Sequence, residues 1–139
     1  MDRECVFCRV VGGDVAAHTV LDDGNTVAFL DHRPLFPGHV LVVPRPHHPT
    51  LIDLPRSSVE PLFATVRKVA SAVTGAMSAD GTFVALNNTV SQSVPHLHVH
   101  VVPRRFKDGL RGFFWPRQRY AGGDAEMAEV AEAIRGFLG

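Results

Sequence analysis

The sequence predicts an α+β domain, and three observations carry that reading. Short apolar segments rich in valine recur at 18–22, 26–30, 38–43, 82–86 and 96–102, with turn-forming residues between them. One longer stretch, 57–77, repeats apolar residues every third or fourth position. A second such stretch follows Asp124. Strands joined by short loops around one inserted helix build an antiparallel sheet of about five strands, with helices gathered on one side. At 139 residues, 45% of them hydrophobic, the chain fits a single domain over 1–139 with one core.

Taken in order, Cys5 to Val11 suggests a short helical turn broken by Gly12-Gly13. Strands then follow at His18 to Asp22, Thr26 to Leu30 and Gly38 to Val43. The segment Asp31-His-Arg-Pro-Leu-Phe-Pro37 between the last two is too proline-rich for a strand interior and reads as a loop. In the long helix, Val59, Leu62, Phe63, Val66, Val69, Ala70, Val73 and Met77 form one stripe for burial. Ser57 to Glu60 has the form of a capping box, although Pro61 suits the first turn better if Ser58 is the cap. Asp80-Gly81 ends that helix, and Thr82 to Leu86 leads as a strand into the polar loop 87–93. A loop from Pro103 to Gly123 precedes a last helix capped by Asp124, with Met127, Val130, Ala131, Ile134 and Leu138 on one face.

The strand after the polar loop carries the most chemistry. His96, His98 and His100 occupy alternate positions, so in extended backbone all three imidazoles share one side while Leu97, Val99 and Val101 anchor the other. Imidazole titrates near neutrality and serves as nucleophile, proton carrier or metal ligand. With no Asp or Glu between Gly81 and Phe106, a nucleophilic His98 needs a backbone carbonyl to fix its tautomer, and that of His96 is the expected one. The plain alternative is a surface strand that happens to be rich in histidine.

Charge and cysteine usage narrow the classes. Fourteen Lys+Arg balance fourteen Asp+Glu, which argues against a nucleic acid or an anionic membrane as the main partner. The start has no signal-like apolar segment and no run is long enough to span a bilayer, so a cytoplasmic protein is the expectation. Cys5 and Cys8 form a Cys-x-x-Cys, half a zinc site or a redox pair. The redox reading wants a strand upstream, and nothing there could be one. Zinc would need two more ligands, from His47 or His48 and one member of the triple.

His96-Leu-His98-Val-His100-Val-Val-Pro resembles the motif of the histidine triad (HIT) family. Cys5-Val-Phe-Cys8, Ala28-Phe-Leu-Asp31, Pro37-Gly-His39-Val-Leu-Val-Val-Pro44, Asn87-Asn88 and Gln92-Ser93 agree with it in order and spacing, over roughly residues 5 to 105. The resemblance implies a HIT-like fold and hydrolysis or transfer at the α-phosphorus of a nucleoside phosphoramidate, dinucleoside polyphosphate or related nucleotide. It makes His98 the attacking group, through a covalent nucleotidyl-histidine. It sets His39 and His100 on either side of the phosphate, with Asn87 or Asn88, Gln92 and Ser93 as neutral donors and Ser93 toward the leaving group. It has Asp31 accept ribose hydroxyls while Phe7, Val10, Phe29, His32 and Val40 shape the base and sugar pocket. By the same resemblance Cys5, Cys8, His47 and His96 hold one structural zinc per chain, and the protein is a homodimer paired through the long helix and a strand edge.

Two departures stand out. The loop between Asn87 and Gln92 is about two residues shorter than the common pattern, with Ser91 where glycine is usual, so which asparagine faces phosphate stays open. His100, where a nucleotidyltransferase branch carries glutamine, points to water as acceptor, hence hydrolase over transferase. Beyond the firm resemblance, Arg104, Arg105, Lys107, Arg111, Arg117 and Arg119 alternate with Phe106, Phe113, Phe114, Trp115 and Tyr120, a composition able to grip polyphosphate and stack a base, or a solvated loop. Two rivals remain: a metal-dependent hydrolase using all three histidines as ligands, and a nucleotide-binding module without turnover.

Overall fold

In the computed structural model, which describes residues 4–111 and 117–138, the fold is α+β as the sequence predicts. Phe113, Phe114 and Trp115, named above with the basic loop, lie outside the described residues. The strands are β1 (Thr19–Asp22), β2 (Thr26–Leu30), β3 (Val40–Pro44), β4 (Gly81–Ala85) and β5 (Val99–Arg104). They form one antiparallel sheet in the order β1-β2-β3-β5-β4. The helices are α1 (Val6–Val11), α2 (Arg56–Ala76) and α3 (Gly123–Phe137).

The period-two alternation of the strands sends side chains to two different cores. Ala28, Leu30, Val40, Val42, Leu97, Val99 and Val101 pack against Leu62, Val66, Val69 and Val73 of α2 and Ala131 and Ile134 of α3. On the opposite face Val27, Phe29, Leu41 and Val43 pack against Phe7, Cys8 and Val11 of α1. The helices are therefore not all on one side: α2 and α3 are, but α1 covers the other face. Register fixes the side of each residue, since Val40 pairs with Val101 and Leu41 with His100. Each fully buried Leu, Val or Ile stabilises the fold by about 1.5–3 kcal/mol, and Leu97, Val99 and Val101 are all fully buried. That anchoring aims the intervening histidines at the α1 face.

Several boundaries differ from expectation, for physical reasons. The strand pairing of β5 begins at Val99, not His96, because Leu97 spends its N–H on the His48 carbonyl (2.7 Å) instead of a ladder partner. The alternation survives: His98 and His100 remain opposite the Leu97 side. Helix α2 starts at Arg56 with Pro55 at its cap, so neither Ser57 nor Ser58 caps it and Pro61 lies inside it. On its stripe Val59 and Phe63 are exposed while Thr65 and Ala72 are buried. Asp124 does not cap α3 either; Gly122 holds that position, its N–H donating to Glu126 Oε1 (2.9 Å). Among the described residues no helix is long and apolar enough to cross a membrane.

Candidate active site

Between α1 and its face of the sheet lies a cavity of about 760 Å³. Phe7, Val10, Phe29, Asp31, His32, Ser93, His98 and His100, all singled out from the sequence, line it. His98 Nδ1–H donates to the His96 carbonyl (2.8 Å), which leaves Nε2 with the lone pair. The ring packs edge-on against Phe7, centroids 5.0 Å apart. Burial pushes its pKa below the ordinary imidazole value, against the opposing pull of the His96 carbonyl and Asp31. His98 is therefore neutral at physiological pH, the state a nucleophile requires.

A second pair of rings sits beside it. Leu35 N–H donates to His39 Nδ1 (3.0 Å), so His39 carries its proton on Nε2 and donates it to His100 Nδ1 (2.9 Å). His100, neutral, then carries its own proton on Nε2. Burial pushes His100 down to about 3, helped by His98 and Arg117, and holds His39 well below the usual range. Asp31 Oδ2, 3.8 Å from His39 Nε2, joins these two in a group whose ligand atoms lie within 4.8 Å of one another. The backbone N–H on one ring and the short ring-to-ring bond give it the pattern of a directional proton chain.

His39 is placed by a tight turn. Gly38 has φ +95°, and a Cβ there would come within 2.6 Å of Met77 Cγ. Only glycine meets both demands. Gly38 N–H donates to the buried Tyr120 hydroxyl (2.7 Å), and Gln118 N–H to the Pro34 carbonyl (2.7 Å). Residues 117–120 thus brace the 31–39 loop, a part that Arg117 and Tyr120 play from outside the triad motif.

The other histidine of the triad faces elsewhere. His96 Nε2–H donates to the Pro44 carbonyl (2.8 Å), turning its Nδ1 lone pair toward Cys5 Sγ and Cys8 Sγ, 3.5 Å from each. His47 Nδ1 lies 3.2 Å from Cys8 Sγ. The four ligand atoms lie within 4.8 Å of one another, and three of the four residues are buried. Burial lowers the His96 pKa to about 4, keeping it neutral. Two thiols and two imidazole nitrogens around one point are a tetrahedral zinc donor set, and the Pro44 carbonyl supplies the outer hydrogen bond such a ligand uses. The arrangement divides the triple between two clusters, which disfavours a single ion held by all three.

Several residues fall away from the cavity. Val40 is fully buried on the opposite face, paired with Val101, and cannot shape a base pocket. Asn87 Nδ2 donates to the Ser91 carbonyl (3.3 Å), and Asn88 Oδ1 accepts from Leu51 N–H (2.8 Å). Gln92 donates to the Pro49 carbonyl (2.6 Å) and accepts from Thr89 N–H (2.9 Å). None of these three lines the cavity. His39 is fully buried behind His100 and does not flank an open phosphate position. Of the six basic residues noted after the triad, Arg117 alone lines the cavity. Arg104 is spent bidentately on Asp108 (2.6 and 2.9 Å), and Arg105 on the Met77 carbonyl. The reading of the sequence missed His18, Asp124 and Met127 on the cavity wall. No local signal marks them, because only tertiary packing brings the start of α3 beside β1.

The family profile described as the HIT domain matches residues 13–107. An adenylylsulfatase of Arabidopsis thaliana is 29% identical over 140 residues, 99% of this chain and 71% of that protein. The asymmetrical bis(5′-nucleosyl)-tetraphosphatase of Schizosaccharomyces pombe is 39% identical over 111 residues, 78% of this chain and 59% of that protein. Among solved structures, a zinc-bound histidine triad family protein from Mycobacterium smegmatis superposes with a TM-score of 0.85 at 35% identity, covering 96% of this chain and 92% of that one.

Proposed function

The chain belongs to the HIT domain family, and on that premise we propose that it is a nucleotide hydrolase acting at the α-phosphorus through a covalent nucleotidyl-His98. The observation that carries this is the His98 Nδ1–H bond to the His96 carbonyl, at the wall of a cavity large enough for a nucleotide. Two relatives bear the names of nucleotide-cleaving enzymes, an adenylylsulfatase and a bis(5′-nucleosyl)-tetraphosphatase. In the first step His98 Nε2 forms a bond to phosphorus, and the bond to the leaving group breaks with its electron pair. The proton stays on Nδ1, and the His96 carbonyl that accepts its hydrogen bond stabilises the positive charge that the ring acquires. His100 Nε2–H donates to a non-bridging phosphate oxygen as charge builds there, and His39 holds His100 in that tautomer. Ser93, on the cavity wall, meets the leaving group. Water then attacks phosphorus and gives up a proton to the departed leaving group or to solvent, while the P–N bond breaks with its electron pair returning to Nε2, so that neutral His98 is restored. Histidine at position 100 favours water over a second phosphate as acceptor.

Cys5, Cys8, His47 and His96 would hold one zinc, which supplies a closed structural site and leaves no open position for catalysis. A homodimer is supported by exposed Val59 and Phe63 on α2 and by Val84 on the sheet-edge strand β4.

The test is to mix the enzyme with adenosine phosphoramidate, diadenosine tetraphosphate and adenylyl sulfate, quench in alkali and map the adduct by mass spectrometry. The expected result is one nucleotidyl group on the peptide containing His98, absent from His98→Gly. Turnover that persists in His98→Gly without any adduct overturns the proposal.

A further inference from the structure

The end of the cavity around Asp31 carries more positive charge than a nucleoside needs. Asp31 Oδ1 accepts from Arg33 N–H (2.9 Å) and Oδ2 from Arg117 Nη1 (3.2 Å). Arg117 Nη1 donates as well to the Arg33 carbonyl (2.7 Å), so a single nitrogen anchors the guanidinium. Among the described residues no partner is found for its Nε or Nη2, and the side chain, 31% exposed, lines the cavity. The exposed side chain of Arg33 lines it too and likewise has no partner among the described residues. His18 and His32 lie on the same wall, and His18 is already bound to Asp124 (2.6 Å). Around Asp31 two guanidiniums thus accompany one carboxylate, while the wall's other carboxylate, Asp124, is taken up by His18.

A ribose diol presents hydroxyls, which a carboxylate alone can accept. Its hydroxyls can accept a hydrogen bond from a second cation but carry no charge to offset it. A phosphomonoester on the sugar does, and the remaining Nε/Nη2 edge of an anchored arginine is a fork matched to two oxyanion oxygens. The hydrogen bonds of Gln118 and Tyr120 to the 31–39 loop fix the segment that delivers Arg117, so the fork is preorganised. We propose that this end of the cavity is a subsite for a phosphate on the ribose 2′ or 3′ oxygen, gripped by Arg117 and Arg33, and that the enzyme prefers ribose-phosphorylated nucleotides. The inference rests on the nucleotide-site reading above and names its substrate class.

Calorimetric titration of the wild-type protein with adenosine 5′-monophosphate, adenosine 3′,5′-bisphosphate, adenosine 2′,5′-bisphosphate and adenosine 5′-diphosphate tests it without any variant. One bisphosphate is expected to bind at least about tenfold tighter than the monophosphate, as a charge-assisted pair contributes. Arg117→Met should bring that ratio toward one, with Arg33→Met lowering it less. Equal affinities for mono- and bisphosphates in the wild type overturn the proposal. So does a diphosphate that gains as much as the bisphosphates, since the cations would then serve the leaving group. If Arg117→Met weakens all ligands by one common factor, Arg117 merely positions Asp31, and the subsite is again refuted. Failure of the monophosphate itself to bind would instead strike the nucleotide-site reading.

Discussion

His96 and His98 are two residues apart on one strand approach, both buried, and have been given opposite tautomers. His96 donates from Nε2 to the Pro44 carbonyl and turns Nδ1 toward two thiols. His98 donates from Nδ1 to the His96 carbonyl and keeps its Nε2 lone pair. The difference shows that residue type and spacing do not assign a role to an imidazole here. The backbone carbonyl that takes one ring proton does, by deciding which nitrogen is left to act.

The comparison is broken most severely by paired substitutions. His98→Gly is expected to lower turnover at least about 10³-fold while elemental analysis still finds one zinc per chain. His47→Ala, or Cys8→Ser, should weaken zinc binding more than about 100-fold, since even outer hydrogen-bonding partners of a ligand cost 10- to 100-fold, and should lower Tm. If His98→Gly instead loses the metal, or if metal-free protein keeps full activity and Tm, the division of labour between the two rings is wrong.

Much of this was legible in the sequence because it rests on local periodicity. The alternation of His96 to Val101 gave the right faces although strand pairing starts only at Val99. Cys-x-x-Cys by itself narrowed its partners to His47 or His48 and one member of the triple; the family resemblance named His47 and His96, and the fold gathers these four. What failed depended on register or on where a loop closes. Val40 reads as equally suited to either face until its pairing with Val101 is known. Arg104 and Arg117 look alike in a basic segment; one is neutralised by Asp108 four residues on, and the other crosses to Asp31. No pattern in the sequence separates them.

The His39–His100 pair sharpens the comparison, because it belongs to a cluster separate from the one that holds the thiols. Both titrate below the ordinary imidazole value of 6.5, His100 at about 3. Below pH 6.5 the unfolded chain therefore protonates these two rings more readily than the folded chain does. The stability linked to this pair is therefore fully present above 6.5 and is lost as pH falls below it, for His100 down to about 3. Asp31, Arg117 and His98 face the same pair, and the first opposes the effect. Urea denaturation between pH 4 and 6 should show stability falling less steeply with pH in a His39→Gln, His100→Gln double variant. An unchanged slope would mean that the buried pair is already protonated in the native protein, contrary to the donor chain from Leu35.

The smallest effect concerns the loop that family resemblance would place on the phosphate. Asn88 and Gln92 spend their amides on Leu51 N–H, Thr89 N–H and the Pro49 carbonyl, tying the loop to the turn before α2. Thr89 and Ser91 hold φ of +68° and +63° there, conformations that disfavour both residues, so these ties have strain to offset. Asn88→Ala and Gln92→Ala are accordingly expected to cost about 0.5–1.5 kcal/mol of stability each and to change kcat/KM by less than about threefold, far below the effect at His98. A Gln92→Ala enzyme that loses more than about tenfold in kcat at unchanged KM and Tm would show that the loop releases Pro49 and turns its amide to the substrate. The site would then be completed only when the nucleotide is bound.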